Sequence, residues 1–182
     1  MKKILIFLII SLLFLSGCSV KKVKELTDSE KFANEFQVSE KNPFKYANYN
    51  DVINTTNSTG IIFMADPDNE GCIKAAKIIT KIANKNNIEE IQYYNPDKIK
   101  NKKRYKKLVK YFKEYLIKNE EEEYTLNTPI LVSIKDGNII GYSNYFSIEN
   151  QLSEDKLTKK KLKTIEKEYL DILNYNKYSN CN

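Results

Sequence analysis

The sequence predicts an α/β fold with a mixed central sheet, and three observations support this. A strand, a helix and a second strand follow one another within residues 60–95. An Asp-Gly pair then separates two apolar runs, which is a strong short-range signal for a β-hairpin. Finally, an amphipathic helical pattern occupies the region after residue 156. The predicted order is therefore strand, helix, strand, helix, hairpin and helix, without an internal repeat.

The first three elements form a βαβ unit. Gly60 to Ala65 is an apolar run rich in β-branched residues, which favours a central strand. Apolar residues then recur every three or four positions and predict a helix from about Glu70 to Asn86. The segment IEEIQYYN, closed by Asn95-Pro96, predicts a strand parallel to the first. The loop before the helix consequently opens at the carboxyl end of the sheet.

The remaining elements lie on either side of this unit. Residues 18–43 are polar and predict a tether that becomes a short helix, and the segment after them predicts an amphipathic helix and a loop. Residues 97–119 predict one lysine-rich helix that directs apolar residues, Ile117 among them, toward the core. TPILVSI and NIIGYS predict the two hairpin strands, and the stripe from Leu157 to Leu173 predicts the last helix.

The N-terminus has the features of an export signal. Lys2 and Lys3 precede the twelve-residue, mainly apolar run from Ile4 to Leu15, which is short for a bilayer-spanning helix. The tetrad Leu15-Ser16-Gly17-Cys18 resembles the lipobox of bacterial lipoproteins. This resemblance implies cleavage before Cys18, lipidation of Cys18 and an extracytoplasmic, membrane-anchored protein. The alternative is an ordinary secretory signal or a retained anchor in which the cysteine occurs by chance.

The net charge is mildly positive. It is +6 for the whole chain and +4 after removal of residues 1–17, which contain Lys2 and Lys3. The basic residues are concentrated in one stretch: Lys98, Lys100, Lys102, Lys103, Arg104, Lys106, Lys107, Lys110 and Lys113. We interpret this stretch as a solvated helix face without a specific nucleic-acid site, and weak attraction to anionic lipid or wall polymer stays open.

The absence of histidine excludes several classes of enzyme. Without it there is no Ser-His-Asp or Cys-His catalysis and no ordinary zinc site. The five glycines are scattered, so a glycine-rich phosphate loop is absent as well. We therefore expect neither a metal nor a cofactor.

The order of elements and the Thr128-Pro129 pair that opens the hairpin resemble the thioredoxin fold. With the lipobox, the chain resembles thioredoxin-like lipoproteins of Gram-positive bacteria related to bacteriocin-transport accessory proteins. The likeness covers residues 57–149 and rests on GIIFM, Pro67, the tetrad 69–72 and NTPILVSIKDGNIIG; the YSNCN tail is a less specific likeness. It implies a signal peptide over 1–17, a tether and short helix over 18–43, a thioredoxin-like domain over 44–152 and a C-terminal helix and tail over 153–182.

The resemblance also identifies a candidate site that departs from the family pattern. The Cys-x-x-Cys motif falls on Asn69, Glu70, Gly71 and Cys72, so the attacking cysteine is replaced by asparagine. Asparagine cannot attack a disulfide but is a good helix N-cap. Cys72 is then either an inert buried thiol or a monothiol nucleophile. The bond before Pro129 is expected to be cis and to lie against this turn.

Cys181 provides a second thiol, which either is free or pairs with Cys72 outside the cell. The leading hypothesis is a binding or accessory module without dithiol activity, with an extracytoplasmic protein or an extended peptide beside Pro129 as its partner. The alternative is a thiol-disulfide oxidoreductase that acts through Cys72 alone or with Cys181. A third hypothesis is a structural lipoprotein whose basic helix contacts the envelope.

Overall fold

The computed structural model describes residues 25–149 and 158–174. Within them, a five-stranded mixed sheet lies between two layers of helices, which confirms the predicted thioredoxin-like α/β fold. In chain order the elements are α1 Asp28–Phe36, β1 Phe44–Tyr46, α2 Tyr49–Thr55, β2 Gly60–Met64, α3 Glu70–Asn86, β3 Ile91–Tyr94, α4 Lys102–Phe112, β4 Ile130–Lys135, β5 Asn138–Ser143, α5 Tyr145–Glu149 and α6 Lys159–Leu173.

The strands are arranged in the order β1-β3-β2-β4-β5. β3 pairs in parallel with both β1 and β2, whereas β4 is antiparallel to β2 and to β5. The β4-β5 turn places Asp136 at φ 49° and Gly137 at φ 78°. Positive φ at both central residues is the geometry of the type I′ hairpin turn, so the predicted Asp-Gly hairpin is confirmed.

The sheet has a hydrophobic core on each face because its side chains alternate between the two faces. Phe63 and its same-face neighbours pack against α1, α3, α5 and α6, whereas Ile62 and its neighbours pack against α2 and α4. All residues of the two described cores lie between Phe32 and Leu173. A chain that begins at Ser19 therefore contains every residue of the two described cores.

The first helix is more closely integrated than a tether would be. α1 begins at a capping box made by Thr27 and Glu30, in which each side chain accepts a hydrogen bond from the other residue's backbone N–H. Phe32 and Phe36 are fully buried, and the Phe32 ring stacks on that of Phe44 at a centroid distance of 3.8 Å. Phe44 belongs to β1, an edge strand that the sequence analysis did not predict.

The helix predicted over residues 97–119 is shorter in the structure. Its helical core is α4, which follows the N-cap Asn101. The Asn101 side chain accepts hydrogen bonds from the backbone N–H groups of Lys103 and Arg104. Short 3-10 turns lie at Pro96–Lys98 and Lys113–Tyr115. The chain is extended at Leu116, so Ile117 falls outside the amphipathic pattern and is 48% exposed instead of facing the core.

The last helix crosses the sheet and ends far from the carboxyl end of β2. Ile172 packs over Gly141 of β5, and Leu173 and Asn174 line a cleft with Thr59 and Gly60. Since Gly60 is the first residue of β2, α6 ends at the opposite end of this strand from the loop that leads into α3.

Candidate functional site

The candidate site is the loop of residues 65–69 together with the first turn of α3. Asn69 is the N-cap of α3, and its Oδ1 accepts a hydrogen bond from the Cys72 backbone N–H at 3.1 Å. The side chain at the first position of the degenerate motif therefore satisfies one of the free donors at the helix start. Glu70 extends into solvent and pairs with Lys74 at 3.8 Å, and Gly71 is buried.

Cys72 has an exposed fraction of 0% and forms no disulfide with another described residue. Its Sγ accepts a hydrogen bond from the Asp66 backbone N–H at 3.4 Å. Burial raises the pKa of Cys72 to about 11, although this hydrogen bond and one with the Thr128 side chain favour the thiolate. The carboxylates of Asp66 and Asp97 raise the pKa further, by a smaller amount. Cys72 is therefore protonated at neutral pH.

The Thr128-Pro129 peptide bond is cis, as the resemblance implies. Thr128 lies within hydrogen-bond reach of Cys72, so this bond is next to the motif turn. Pro129 is buried and leads directly into β4. The degenerate motif and the cis-proline thus come together at one end of the sheet.

The site also contains polar residues that the sequence analysis did not identify. Asn95 Nδ2 donates a hydrogen bond to Asp66 Oδ1 at 3.3 Å, and Asn95 Oδ1 accepts one from the Asp97 N–H at 2.9 Å. Asp66 and Asn95 follow the neighbouring parallel strands β2 and β3. Ligand sites of α/β sheets lie beyond the carboxyl ends of such strands. The polar residues that follow β2 and β3 in the sequence could therefore have indicated that Asp66 and Asn95 belong to the site.

Comparison with known proteins gives no relative for this site. No family model matches the chain, and no curated protein matches it.

The other cysteines of the sequence analysis, Cys18 and Cys181, lie outside the described residues. A pair between Cys72 and Cys181 therefore stays a prediction. Such a pair would need residues 175–181 to return from the end of α6, beside Gly60, to the far end of β2. It would also need Cys72, which is fully buried, to become accessible.

The described residues contain neither a helix long and apolar enough to cross a bilayer nor a group of three or more acidic or cysteine side chains arranged to hold a metal ion. What the site offers chemically is a protonated thiol beneath a polar rim. Its accessible groups are hydrogen-bonding side chains, with Asp66 and Thr128 half-buried above Cys72. This arrangement is suited to binding, since a disulfide exchange reaction requires an accessible thiolate.

Proposed function

We propose that this chain is an extracytoplasmic lipoprotein, anchored to the membrane through lipid on Cys18, whose thioredoxin-like domain acts as a binding or accessory module without dithiol redox activity. The anchoring rests on the Leu15-Ser16-Gly17-Cys18 tetrad at the end of an apolar run. Several acyl chains on one cysteine, at about 0.8 kcal/mol per buried methylene, would hold the protein durably on the membrane.

The proposed absence of redox activity rests on two features of the motif, which has a helix N-cap at its first position and a buried thiol at its last. Asn69 fills the position of the attacking cysteine and caps α3, while Cys72 is inaccessible and has a pKa of about 11. In dithiol enzymes a thiolate at the helix start attacks first and the second thiol then resolves the mixed disulfide. The first step lacks its nucleophile here, so the second step never arises.

The partner we propose is an extended peptide segment of an extracytoplasmic protein, held beside Pro129. Asp66 and Thr128 supply half-buried hydrogen-bonding side chains there, and the cis bond joins Thr128 to Pro129. An extended peptide has unpaired backbone donors and acceptors, which such groups can satisfy.

The second candidate is a thiol-disulfide oxidoreductase that uses Cys72 alone or together with Cys181. The hydrogen bonds that Cys72 receives from the Asp66 N–H and shares with Thr128 favour this alternative, because they stabilise a thiolate. Burial outweighs them in the folded protein.

Insulin reduction distinguishes the two candidates. We expect the chain from Ser19 onward to reduce insulin no faster than a simple thiol does, and Cys72→Ala to leave this rate unchanged. Asn69→Cys should gain activity, because it restores Cys-x-x-Cys at the start of α3. Robust turnover by the unaltered protein that disappears in Cys72→Ala would establish the oxidoreductase instead.

Membrane fractionation tests the anchoring separately. Cys18→Ala should move the full-length protein out of the membrane fraction and abolish incorporation of labelled fatty acid. A variant that remains in the membrane fraction would contradict anchoring through Cys18.

A further inference from the structure

The outer surface of α4 and the turn after it carry a dense set of cations, here called the basic face: Lys102, Lys103, Arg104, Lys106, Lys107, Lys110 and Lys113. All seven side chains are exposed, whereas Leu108 and Phe112 on the inner side of α4 are fully buried. Since residues three and four apart are neighbours on a helix, these cations are adjacent to one another. The basic face is therefore one continuous patch of positive charge.

Among the described residues, no salt bridge neutralises this patch. The first turn of α4 has no acidic residue, although the positive end of the helix dipole favours one there. Like charges at i and i+4, such as Lys103 and Lys107, also destabilise an isolated helix. The sequence thus keeps a positive surface where helix stability would favour carboxylates, and an external anion would relieve the repulsion.

The basic face surrounds a shallow concavity of about 500 Å³, and Tyr49 is the aromatic side chain among the described residues that line it. The Arg104 guanidinium lies 4.9 Å from the centre of the Tyr49 ring. Lys103, Lys106, Lys107 and Lys110 line the same concavity. Lysines around a half-buried tyrosine match the headgroup region of a bilayer, where phosphates are anionic and tyrosine is favoured.

The start of α1 lies beside the end of β1, from which the chain continues to Tyr49. The Asp28 carboxylate, at the start of α1, accepts a hydrogen bond from the Tyr46 backbone N–H at 3.1 Å. Tyr46 is three residues before Tyr49, which contacts Arg104. Asp28 is ten positions after Cys18, and this length of chain spans at most about 35 Å. A lipid on Cys18 would therefore keep the start of α1, and with it the end of β1 that leads to Tyr49, close to the bilayer.

From these observations we propose that the basic face docks on an anionic phospholipid membrane and orients the domain on it. This inference rests on the proposed anchoring for its biological setting, but the attraction is a property of the domain itself. Binding should weaken with added salt, because exposed charges are screened within about 10 Å at 0.1 M ionic strength. A neutral bilayer should not be bound.

The experiment measures vesicle binding without the lipid anchor. The chain from Ser19 onward is sedimented with vesicles of phosphatidylglycerol and phosphatidylcholine in equal parts, or of phosphatidylcholine alone. Two triple variants carry the same change in charge: Lys103, Lys106 and Lys107→Glu on α4, and Lys159, Lys160 and Lys163→Glu on α6. The second set is equally exposed and lies on the opposite side of the sheet, so it controls for net charge.

We expect the partition coefficient onto anionic vesicles to fall at least tenfold in the α4 variant and much less in the α6 variant. Equal losses in the two variants, or equal binding to both kinds of vesicle, would overturn the proposal. Binding to soluble polyphosphate without binding to vesicles would also overturn it and would assign the basic face to an anionic polymer. Because Cys18 is absent from this chain, these outcomes are independent of the fractionation test for anchoring.

Discussion

The burial and the raised pKa of Cys72 lead to a quantitative prediction about alkylation. An ordinary thiol with a pKa of about 8.5 is about 3% thiolate at pH 7. A thiol with the pKa of Cys72, about 11, is about 0.01% thiolate at the same pH, so its reaction should be about 300 times slower. Complete burial of the sulfur slows the reaction further, because the reagent cannot reach it in the folded protein.

The assay follows iodoacetamide labelling of the Cys72 peptide by mass spectrometry. A chain from Ser19 with Cys181→Ser has Cys72 as its single thiol. We expect the folded protein to react at least about 300 times more slowly than the same protein in concentrated urea. The urea sample is the internal control, since unfolding removes the burial. A folded rate within tenfold of the unfolded rate would refute the assignment of Cys72 as a buried, protonated thiol.

Three further predictions concern stability, each measured by urea unfolding. The folded state holds the Cys72 proton up to about pH 11, whereas the unfolded state releases it above about pH 8.5. The contribution of Cys72 to the free energy of unfolding is thus complete below pH 8.5 and declines as the pH rises, by about 1.4 kcal/mol between pH 7 and pH 9.5. An equal decline in the free energy of unfolding of a Cys72→Ala variant would contradict this. Phe32→Ala should lower the free energy of unfolding by about 3–5 kcal/mol, because it empties a fully buried site. The control Leu26→Ala, at a side chain 43% exposed, should lower it by less than about 0.5 kcal/mol. Equal effects of the two substitutions would place α1 outside the core. Gly141→Ala should cost about 1–3 kcal/mol, since its Cβ would lie 2.7 Å from Ser133 Oγ and 3.1 Å from Ile172 Cγ1, and unchanged stability would show that this contact relaxes freely.

The sequence was most informative where local chemistry determines the backbone. α3 runs from Glu70 to Asn86 as predicted, because the Asn69 cap and the apolar stripe act within a few residues of one another. The hairpin was predictable for the same reason, since Gly137 and Asp136 adopt the positive φ angles that a type I′ turn requires. At the site, the position of the cap was accessible from the sequence alone.

The sequence was less informative where distant contacts determine the structure. β1 has three residues and is a strand because it pairs with Ile91–Tyr93, far along the chain. Phe32 and Phe36 stand among polar residues, so only their stacking and edge contacts with Phe44 and Tyr93 reveal their place in the core. The hydrogen bond between Asn95 and Asp66 likewise joins residues 29 positions apart. Periodicity and spacing carry no information about such pairs.

The burial of Cys72 has a consequence for how the protein responds to oxidants. Oxidation to sulfenic and sulfinic acids proceeds through an accessible thiolate, and Cys72 offers neither access nor a thiolate at neutral pH. A dithiol catalyst must be returned to its working oxidation state after each turnover by an electron donor or acceptor. A binding module of the kind proposed above has no such requirement, so it would remain in one chemical form without a supply of electrons.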